Sequence, residues 1–455
     1  MNLNELLTYL PEVKGPIEKK LGFNVKLKWT LIMLASYFVL ANIPLYGLAA
    51  NALSRFEYLS VILATEFGSV ISLGIGPIVM ASIVLQLLVG AKMLDIDLTQ
   101  VEGKKLFQGL QKLLVVFFCI FEAVIYVMMG GLQADVGMTG MLILQIFLGG
   151  ILIMFMDEVC SKWGFGSGVS MFIAAGVGWH LFTQAFGFLG LQNQITWSGK
   201  VWSFFISLGG GDTTNAIAAG AAILATIVVF LIVVWAQSIK VEVPLSFGKV
   251  RGFGLRWPLS FFYTSNIPVI LTAALLANVQ LFATLLQNWL GHATILGGFS
   301  NGVASSGLVL WLSGQNLVDS VIRGSFSPMM LLHALVYILV MVGGSIMFAV
   351  FWVKTSGTDS ASMARQILNS GMQIPGFRND PRILETILDR YIMPLTVMGG
   401  AAVGILAASA DLLGALVRGT GLLLAVMIVY KMYQDIAQQH AYDIHPSLRK
   451  MMGAQ

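Results

Sequence analysis

The sequence predicts an all-α polytopic membrane protein with ten transmembrane helices, arranged as two inverted halves of five helices around a central pore. Of its 455 residues, 57% are hydrophobic and 11% are charged, and the mean hydropathy is +0.83. Soluble domains carry about 25% charged residues. Ten apolar runs and a one-sided distribution of basic residues between the connecting loops support the same fold class.

The apolar runs are candidate spans, since crossing about 30 Å of hydrocarbon takes about 20 helical residues. They cover 29–48, 75–88, 113–131, 138–156, 169–189, 216–236, 259–286, 329–352, 391–413 and 422–433. Two of them, 75–88 and 422–433, are short. The first run has no cleavage site of small residues behind it, so we expect it to remain in the protein.

The basic residues predict the orientation, because cytoplasmic loops carry an excess of Lys and Arg. With a cytoplasmic N-terminus, all but four of the 26 Lys and Arg residues fall in inner segments. The four outer residues are Arg55, Lys200, Arg323 and Arg418. An even number of spans then places the C-terminus in the cytoplasm as well.

The spans also predict the organisation of the chain. An amphipathic segment, 1–28, lies on the cytoplasmic surface and precedes the N-terminal half, 29–189. An external loop, 190–215, leads to the C-terminal half, 216–437, which contains two long basic cytoplasmic loops at 240–258 and 354–390. A cytoplasmic tail covers 438–455.

Glycine and proline interrupt corresponding helices of the two halves. Pro77 lies near the start of the second span and Pro268 within the seventh, and Gly-Ser-Gly at 166–168 and Gly-Thr-Gly at 419–421 lead into the fifth and tenth. Because proline removes a backbone donor, we expect a helix to begin at Pro77. Interrupted helices in inverted halves point to the working site. The apolar piece 56–67 is too short to span the bilayer and predicts a re-entrant segment.

The interrupted helices carry aliphatic rather than ionisable residues, namely Ile75, Val79, Val169, Ile173, Ile270 and Leu424. Such residues pack in cores by default, and a sharper hypothesis is a narrow apolar constriction that blocks ions by dewetting. Glu122 is the one acid near the middle of a span. It is either a proton relay or, more commonly, a structural acid hydrogen-bonded to neighbouring helices.

Three classes of function fit a membrane protein of this size: a protein-conducting channel, a secondary transporter for a small solute, and a membrane-embedded enzyme. Nucleotide-binding, hydrolase and zinc-protease motifs are absent from the sequence, and Cys119 and Cys160 lack metal-ligand spacing. We therefore expect no enzyme activity and no cofactor. The span interiors carry few ionisable residues, which ion-coupled transporters need, and the inner loops are long and basic. Both features favour the channel over the transporter.

A set of motifs runs in order along the chain, at 74–79, 86–90, 106–109, 111–113, 166–168, 263–270, 390–392 and 419–421. Together they resemble the SecY family, the large subunit of the Sec protein-conducting channel, and look most like its archaeal branch. The resemblance implies an hourglass of ten helices that moves secretory polypeptides across the membrane and releases membrane-protein helices sideways through a lateral gate.

The resemblance also implies roles for individual residues. The pore ring falls on Ile75, Val79, Val169, Ile173, Ile270 and Leu424. The plug falls on Phe56, Glu57, Tyr58, Leu59, Ser60, Val61, Ile62, Leu63, Ala64, Thr65, Glu66 and Phe67. Lateral-gate positions are Pro77, Met80, Gln86, Glu122, Asn266 and Pro268, and ribosome-facing positions are Lys249, Arg251, Arg378 and Arg390. Met80 departs from the family pattern, in which threonine is common.

The partners that the resemblance implies are a SecE/gamma-type small membrane subunit, a beta-type small subunit, the ribosome, signal sequences with their nascent polypeptides, and the lipid bilayer. The location implied is the plasma membrane for an archaeal-type protein, or the endoplasmic reticulum membrane for a eukaryotic one.

Overall fold

The computed structural model describes residues 11–17, 21–51, 53, 63–91, 93–94, 96, 101–187, 197–247, 254–264, 266–300, 303–369, 372–373 and 380–444. Its apolar helices, numbered in chain order, are α1 Phe23–Ala41, α2 Gly76–Gly90, α3 Val101–Met128, α4 Thr139–Trp163, α5 Gly168–Phe186, α6 Thr213–Gln237, α7 Ile267–Leu290, α8 Pro328–Thr355, α9 Pro381–Leu413 and α10 Gly419–Ile444. Shorter helices in the described connections are Lys200–Gly209, Gly307–Trp311, Leu317–Ile322 and Ser360–Asn369.

The predicted count of ten spans appears as nine long helices and one short helix in the described chain. Nine helices are long and apolar enough to cross a membrane, and α2 has only 15 residues. At 1.5 Å per residue α2 is about 22 Å long, less than the hydrocarbon thickness of about 30 Å. Irregular chain precedes it and is buried in protein, as Ile71, Ser72 and Leu73 are fully covered. Such backbone is tolerated in a membrane where protein covers it.

Several helices extend beyond the predicted spans at their polar ends. The ninth starts at Pro381 rather than at 391, where the Asp380 side chain accepts a hydrogen bond from the backbone N–H of Arg382 at 2.9 Å. α10 continues to Ile444, eleven residues beyond the predicted end at 433. Hydropathy detects only the membrane-embedded part of a helix, so polar turns that project from the bilayer escape it.

The predicted helical fold class is confirmed, and three small sheets lie in the connections between its helices. β1 Leu48–Asn51 pairs with β2 Leu132–Ala134, β5 Gly298–Ser300 with β6 Val303–Ser306, and β3 Lys240–Phe247 with both β4 Gly254–Ser260 and β7 Met372–Gln373. The predicted loop 240–258 is therefore mostly a β-hairpin. Its signal was the alternation of Val241, Val243 and Leu245 with polar residues and proline.

Within the predicted amphipathic segment 1–28, residues 11–17 form no helix, whereas its last residues, from Phe23, are the start of α1. Proline at positions 11 and 16 disfavours one. Lys112 Nζ instead donates to the carbonyl oxygen of Pro11 at 2.7 Å, and Lys162 Nζ donates to that of Val13 at 2.6 Å. The segment is thus held against the ends of α3 and α4.

The most enclosed helix is α7, in which most side chains are buried. It contacts α2, α8, α9 and α10, and α10 in turn contacts α5. α2 also packs against α3 and α8. The four interrupted helices therefore form one connected series, in the order α2, α7, α10 and α5.

Candidate functional site

Two of the interrupted helices begin in the same way. Pro77 is the second residue of α2 and Pro268 is the second residue of α7. Proline fits the first turn because its missing N–H has no helical partner there. Val79 and Ile270 each follow their proline by two residues, and both side chains are buried. The expected helix start at Pro77 is thus confirmed, at Gly76.

The other two interrupted helices begin against a carboxylate from the helix before them. The Val169 N–H in α5 donates to Asp157 Oδ1 at 2.9 Å, and the Thr420 N–H in α10 donates to Asp411 Oδ1 at 2.8 Å. Sequence reasoning missed both aspartates. In the sequence, each aspartate is an acidic residue near the end of an apolar helix. Asp157 lies twelve residues before the residue that it caps, and Asp411 lies nine residues before.

The predicted ring residues belong to one continuous apolar core. Ile75, Val79, Ile173, Ile270 and Leu424 are buried, and Val169 is half-buried and packs against the same core. Each lies in the first two turns of its helix or directly before it. The aliphatic starts of four helices that are far apart in sequence therefore pack in or against the same core.

The predicted plug is described only at its end, Leu63 to Phe67, and Phe56 to Ile62 lie outside the described residues. The Leu63 carbonyl oxygen accepts a hydrogen bond from the Ile75 N–H at 2.9 Å. Thr65 Oγ1 lies 2.7 Å from the carbonyl oxygens of both Ile71 and Ser72. The end of this segment is thus bound to the turn that leads into α2.

A side-chain contact also ties this segment to α5. Glu66 Oε1 lies 3.5 Å from His180 Nε2, and Asn51 Nδ2 donates to the Phe67 carbonyl oxygen at 2.7 Å. The end of the predicted plug therefore touches two separate parts of the N-terminal half.

Five of the predicted gate residues, Pro77, Gln86, Glu122, Asn266 and Pro268, are buried, and Met80 is half-buried. Pro77, Met80 and Gln86 belong to α2, which lies against α7 and α8. The approach to α8 is close at Gly90, where an added Cβ would lie 2.5 Å from Phe351 Cδ1. α3 joins α2 through a hydrogen bond of 2.7 Å from Gln111 Nε2 to Ser82 Oγ.

Glu122 is buried as expected, but the expected hydrogen bonds to neighbouring helices are not formed. Neither carboxylate oxygen has a hydrogen-bond partner among the described residues. The carboxylate faces the start of α2, since a Cβ added to Gly76 would lie 3.2 Å from Glu122 Oε2. The positive end of the α2 dipole therefore lies near this carboxylate.

Three of the four predicted ribosome-facing residues, Lys249, Arg251 and Arg378, lie outside the described residues, and Arg390 is exposed on α9. The two basic loops that carry them are joined. Ser246 and Phe247 of β3 pair with Gln373 and Met372 of β7. Tyr263 Oη also donates to the Thr358 carbonyl oxygen at 2.6 Å.

An open cavity of about 940 Å³ lies between α3 and α4. Along both helices its lining changes from charged residues near the ends, such as Lys105 and Lys162, to the apolar Val115 and Met154 farther in. It reaches Ile78, the neighbour of Val79.

Comparisons with known proteins agree with this arrangement. The SecY family model matches residues 69–433, and a model of the plug domain of Sec61p matches residues 37–68. A protein translocase subunit SecY from Methanothermobacter thermautotrophicus is 48% identical over 454 residues, which are 98% of each chain.

Solved structures give the same result. The structure of a protein conducting channel has a TM-score of 0.85 at 41% identity and covers 98% of this chain and 99% of that one. Sec61 in the canine ribosome–channel complex from the endoplasmic reticulum has a TM-score of 0.82 at 40% identity, with the same coverage. This chain belongs to the SecY family of protein translocase subunits.

Proposed function

We propose that this multi-pass membrane protein forms the central pore of a protein translocation channel and opens sideways to release membrane-protein helices into lipid. The observation that supports this most is that the aliphatic residues at the starts of α2, α5, α7 and α10 pack in or against one continuous apolar core. These helices are linked in space, and none of the six residues carries a polar side chain.

The six aliphatic residues seal the channel at rest. A narrow apolar neck expels water, and ions do not cross it without their hydration shell. The same surface lets an unfolded polypeptide slide, since it offers no side-chain hydrogen bonds that hold the chain. The cavity between α3 and α4 gives an entry path that becomes apolar toward Ile78.

The plug closes the neck from one side. Its described end is hydrogen-bonded to Ile75, the first predicted ring residue, and the family model for the Sec61p plug domain covers this part of the chain. Displacement of the plug breaks the contacts of Leu63 and Thr65 with the turn before α2. Plug and ring therefore open together.

The lateral gate lies where α2 meets α7 and α8, with α3 beside it. An apolar signal sequence gains about 25 cal/mol for each Å² that it removes from water. Gln86 Oε1 and both Glu122 oxygens are buried without hydrogen-bond partners among the described residues, which makes the closed interface less stable than a fully apolar one. A signal sequence that inserts there exposes these groups to new partners.

The two joined basic loops form the ribosome-docking surface. The related Sec61 structure comes from a ribosome–channel complex. Here β3, which precedes Lys249 and Arg251 in sequence, pairs with β7, which precedes Arg378, and Arg390 is exposed on α9. Ribosomal RNA is anionic, so basic residues bind it through salt-sensitive contacts.

The remaining expectations follow from the family. The chain works in the plasma membrane with both termini in the cytoplasm, together with a SecE/gamma-type subunit and a beta-type subunit. Its role is transport without catalysis, since the relatives are named as channel and translocase subunits.

Photocrosslinking from a stalled secretory chain tests the proposal. A photoreactive residue in place of Ile75 or Ile270 should crosslink to the translocating chain. The same residue in place of Ile227, which is 53% exposed on α6, is the control and should crosslink to lipid. Equal crosslinking at Ile227 and Ile270 would place the polypeptide outside the predicted ring and overturn the proposal.

A further inference from the structure

We infer that Asp157 and Asp411 are matched positioning residues, which fix the register of α5 and α10 so that Ile173 and Leu424 meet in the pore ring. The inference rests on the proposed pore and concerns two residues that the ring, plug and gate do not include. The evidence is the same contact at the same distance from the ring in both halves of the chain.

In the N-terminal half, the carboxylate comes from α4 and the capped helix is α5. Asp157 Oδ1 accepts from the Val169 N–H at 2.9 Å and lies 3.4 Å from Ser167 Oγ. The two helices touch at this point, because a Cβ added to Gly168 would lie 2.6 Å from Asp157 Cα. Glycine at 168 is therefore needed for the approach that makes the cap.

In the C-terminal half, the carboxylate comes from α9 and the capped helix is α10. Asp411 Oδ1 accepts from the Thr420 N–H at 2.8 Å, and Asp411 Oδ2 accepts from Thr420 Oγ1 and, at 2.5 Å, from Tyr337 Oη of α8. A Cβ added to Gly419 would lie 2.1 Å from the Ala410 carbonyl carbon. The C-terminal half therefore repeats the close approach of two helices and the glycine that permits it.

The ring residue has the same position relative to the cap in both halves. Val169 and Thr420 are each the second residue of their helix. Ile173 and Leu424 each follow four residues later, and residues four apart lie on the same face of a helix. The side chain that faces the ring is thus one turn beyond the capped N–H in α5 and in α10.

A carboxylate suits this position for two reasons. It satisfies backbone donors at a helix start that have no helical partner, and it opposes the positive end of the helix dipole. A charge-assisted hydrogen bond is also stronger than a neutral one. Each aspartate belongs to the preceding helix, so the cap joins the pore helix to its neighbour and resists sliding between the two.

The test measures resting ion conductance of the full translocation complex in planar bilayers. Asp157→Ala and Asp411→Ala should each raise it several-fold, because the first turn of the pore helix loses its anchor. Asp157→Asn and Asp411→Asn should leave the conductance at the wild-type value, since the asparagine oxygen still accepts the N–H and, at position 411, the amide group donates to the Thr420 and Tyr337 hydroxyl oxygens in place of Oδ2. Alanine variants that assemble and keep the wild-type conductance would overturn the inference. Asparagine variants that conduct as much as the alanine variants would also overturn it.

Three further variants separate the possible failures. If an alanine variant does not assemble, Asp157→Glu and Asp411→Glu carry the test. They keep the charge but lengthen the side chain by a methylene, and they should leak; a sealed channel would refute the positioning role. Ile75→Asn tests the ring itself. If Ile75→Asn raises the resting conductance and the aspartate variants do not, only this inference fails. If none of the variants raises the conductance, the proposed ring is overturned as well.

Discussion

The Ile75 N–H donates a hydrogen bond of 2.9 Å to the carbonyl oxygen of Leu63. It connects the last described turn of the predicted plug to the first residue of the predicted ring. A carbonyl and an N–H that are both covered by protein lose much stability if they separate without other partners. If the proposed plug and ring form the seal, they form one structural unit, because displacement of the plug breaks a backbone hydrogen bond of the first ring residue.

Gly74→Ala should disturb this unit directly. Gly74 has a φ of +53°, and a Cβ there would lie 2.3 Å from the Leu63 carbonyl oxygen. We expect a loss of roughly 1–3 kcal/mol in the free energy of unfolding from backbone strain alone, and a higher resting conductance because the plug end is pushed away. Thermal unfolding and planar-bilayer recordings measure the two effects.

Gly324→Ala is the matched control for that change. Gly324 also has a positive φ, +71°, but an added Cβ would meet nothing within 4 Å. It should share the backbone strain and leave the conductance unchanged. If both variants leak to the same degree, the contact between Gly74 and the plug has no part in sealing.

Adjacent glycines in α8 give a second prediction, about the packing of α7 and α8. A Cβ on Gly344 would lie 2.6 Å from Thr272 Cγ2, whereas one on Gly343 would meet nothing within 4 Å. Gly344→Ala should therefore destabilise the protein by about 1–3 kcal/mol through overpacking. Gly343→Ala should be neutral or stabilising by up to about 1 kcal/mol, since alanine favours a helix.

The melting temperature of the two variants in the same detergent decides this prediction. Thr272 is buried and branched at Cβ, and its hydroxyl donates to the Pro268 carbonyl oxygen at 2.8 Å, so it cannot rotate away. Equal melting temperatures would mean that α7 and α8 separate at this point at no cost.

The sequence predicted the parts of this site that rest on local rules. Proline near the start of a helix, glycine at the helix entries and aliphatic residues at the helix starts are all visible in the chain. Contacts between two helices across a turn cannot be seen in the sequence in this way. Asp157 and Val169 are twelve residues apart in sequence, and nothing in the apolar pattern of α4 indicates that its acid turns back to cap α5.

The β-hairpin at Lys240–Phe247 and Gly254–Ser260 was missed for a different reason. Positive charge and polar character marked the region as a cytoplasmic loop, and charge says nothing about backbone pairing. Glu122 was predicted to be hydrogen-bonded by analogy with other buried acids, yet the described side chains around it are apolar or do not reach it. The pairing of the hairpin with β7 and the surroundings of Glu122 both depend on contacts between residues that are far apart in sequence.

Polar substitution in the ring is the third prediction. Ile270→Asn should make resting membranes conduct ions, because an amide in the neck holds water where an aliphatic side chain excludes it. Ile227→Asn places the same residue on α6, at a position that is 53% exposed, and should leave the conductance at the wild-type level. A sealed Ile270→Asn channel that still transports protein would contradict the dewetting mechanism.

Charge reversal in the basic loops is the fourth prediction. Lys249→Glu combined with Arg251→Glu should weaken ribosome binding, and the affinity should then depend less steeply on salt, because fewer counterions are released on docking. Binding is measured by co-sedimentation of the reconstituted complex at several salt concentrations. Lys200→Glu, in a predicted outer segment, is the control and should change neither value.

The fifth prediction concerns Tyr263, which joins the two basic loops through its hydrogen bond to Thr358. The seventh span was predicted from residue 259, but α7 begins at Ile267, so Tyr263 lies outside the membrane-spanning helices. Tyr263→Phe should lower the free energy of unfolding by about 1 kcal/mol at neutral pH, and weaken ribosome binding if the joined loops act as one surface. Tyr46→Phe removes an exposed phenol hydroxyl and serves as the control.

The pH dependence of this variant gives an independent measurement of the same contact. Burial of the Tyr263 phenol is the main cause that raises its pKa to about 12, from an unfolded value near 10. Because the folded state holds the proton more tightly, the stability that the phenol contributes is fully present below pH 10 and is lost as the pH rises from there toward 12. Tyr263→Phe removes this titration, so its stability should decline less than that of the wild type over the interval. Parallel declines would mean that the phenol is equally solvated in both states, and the link between the loops would then have to come from the β3–β7 pairing alone.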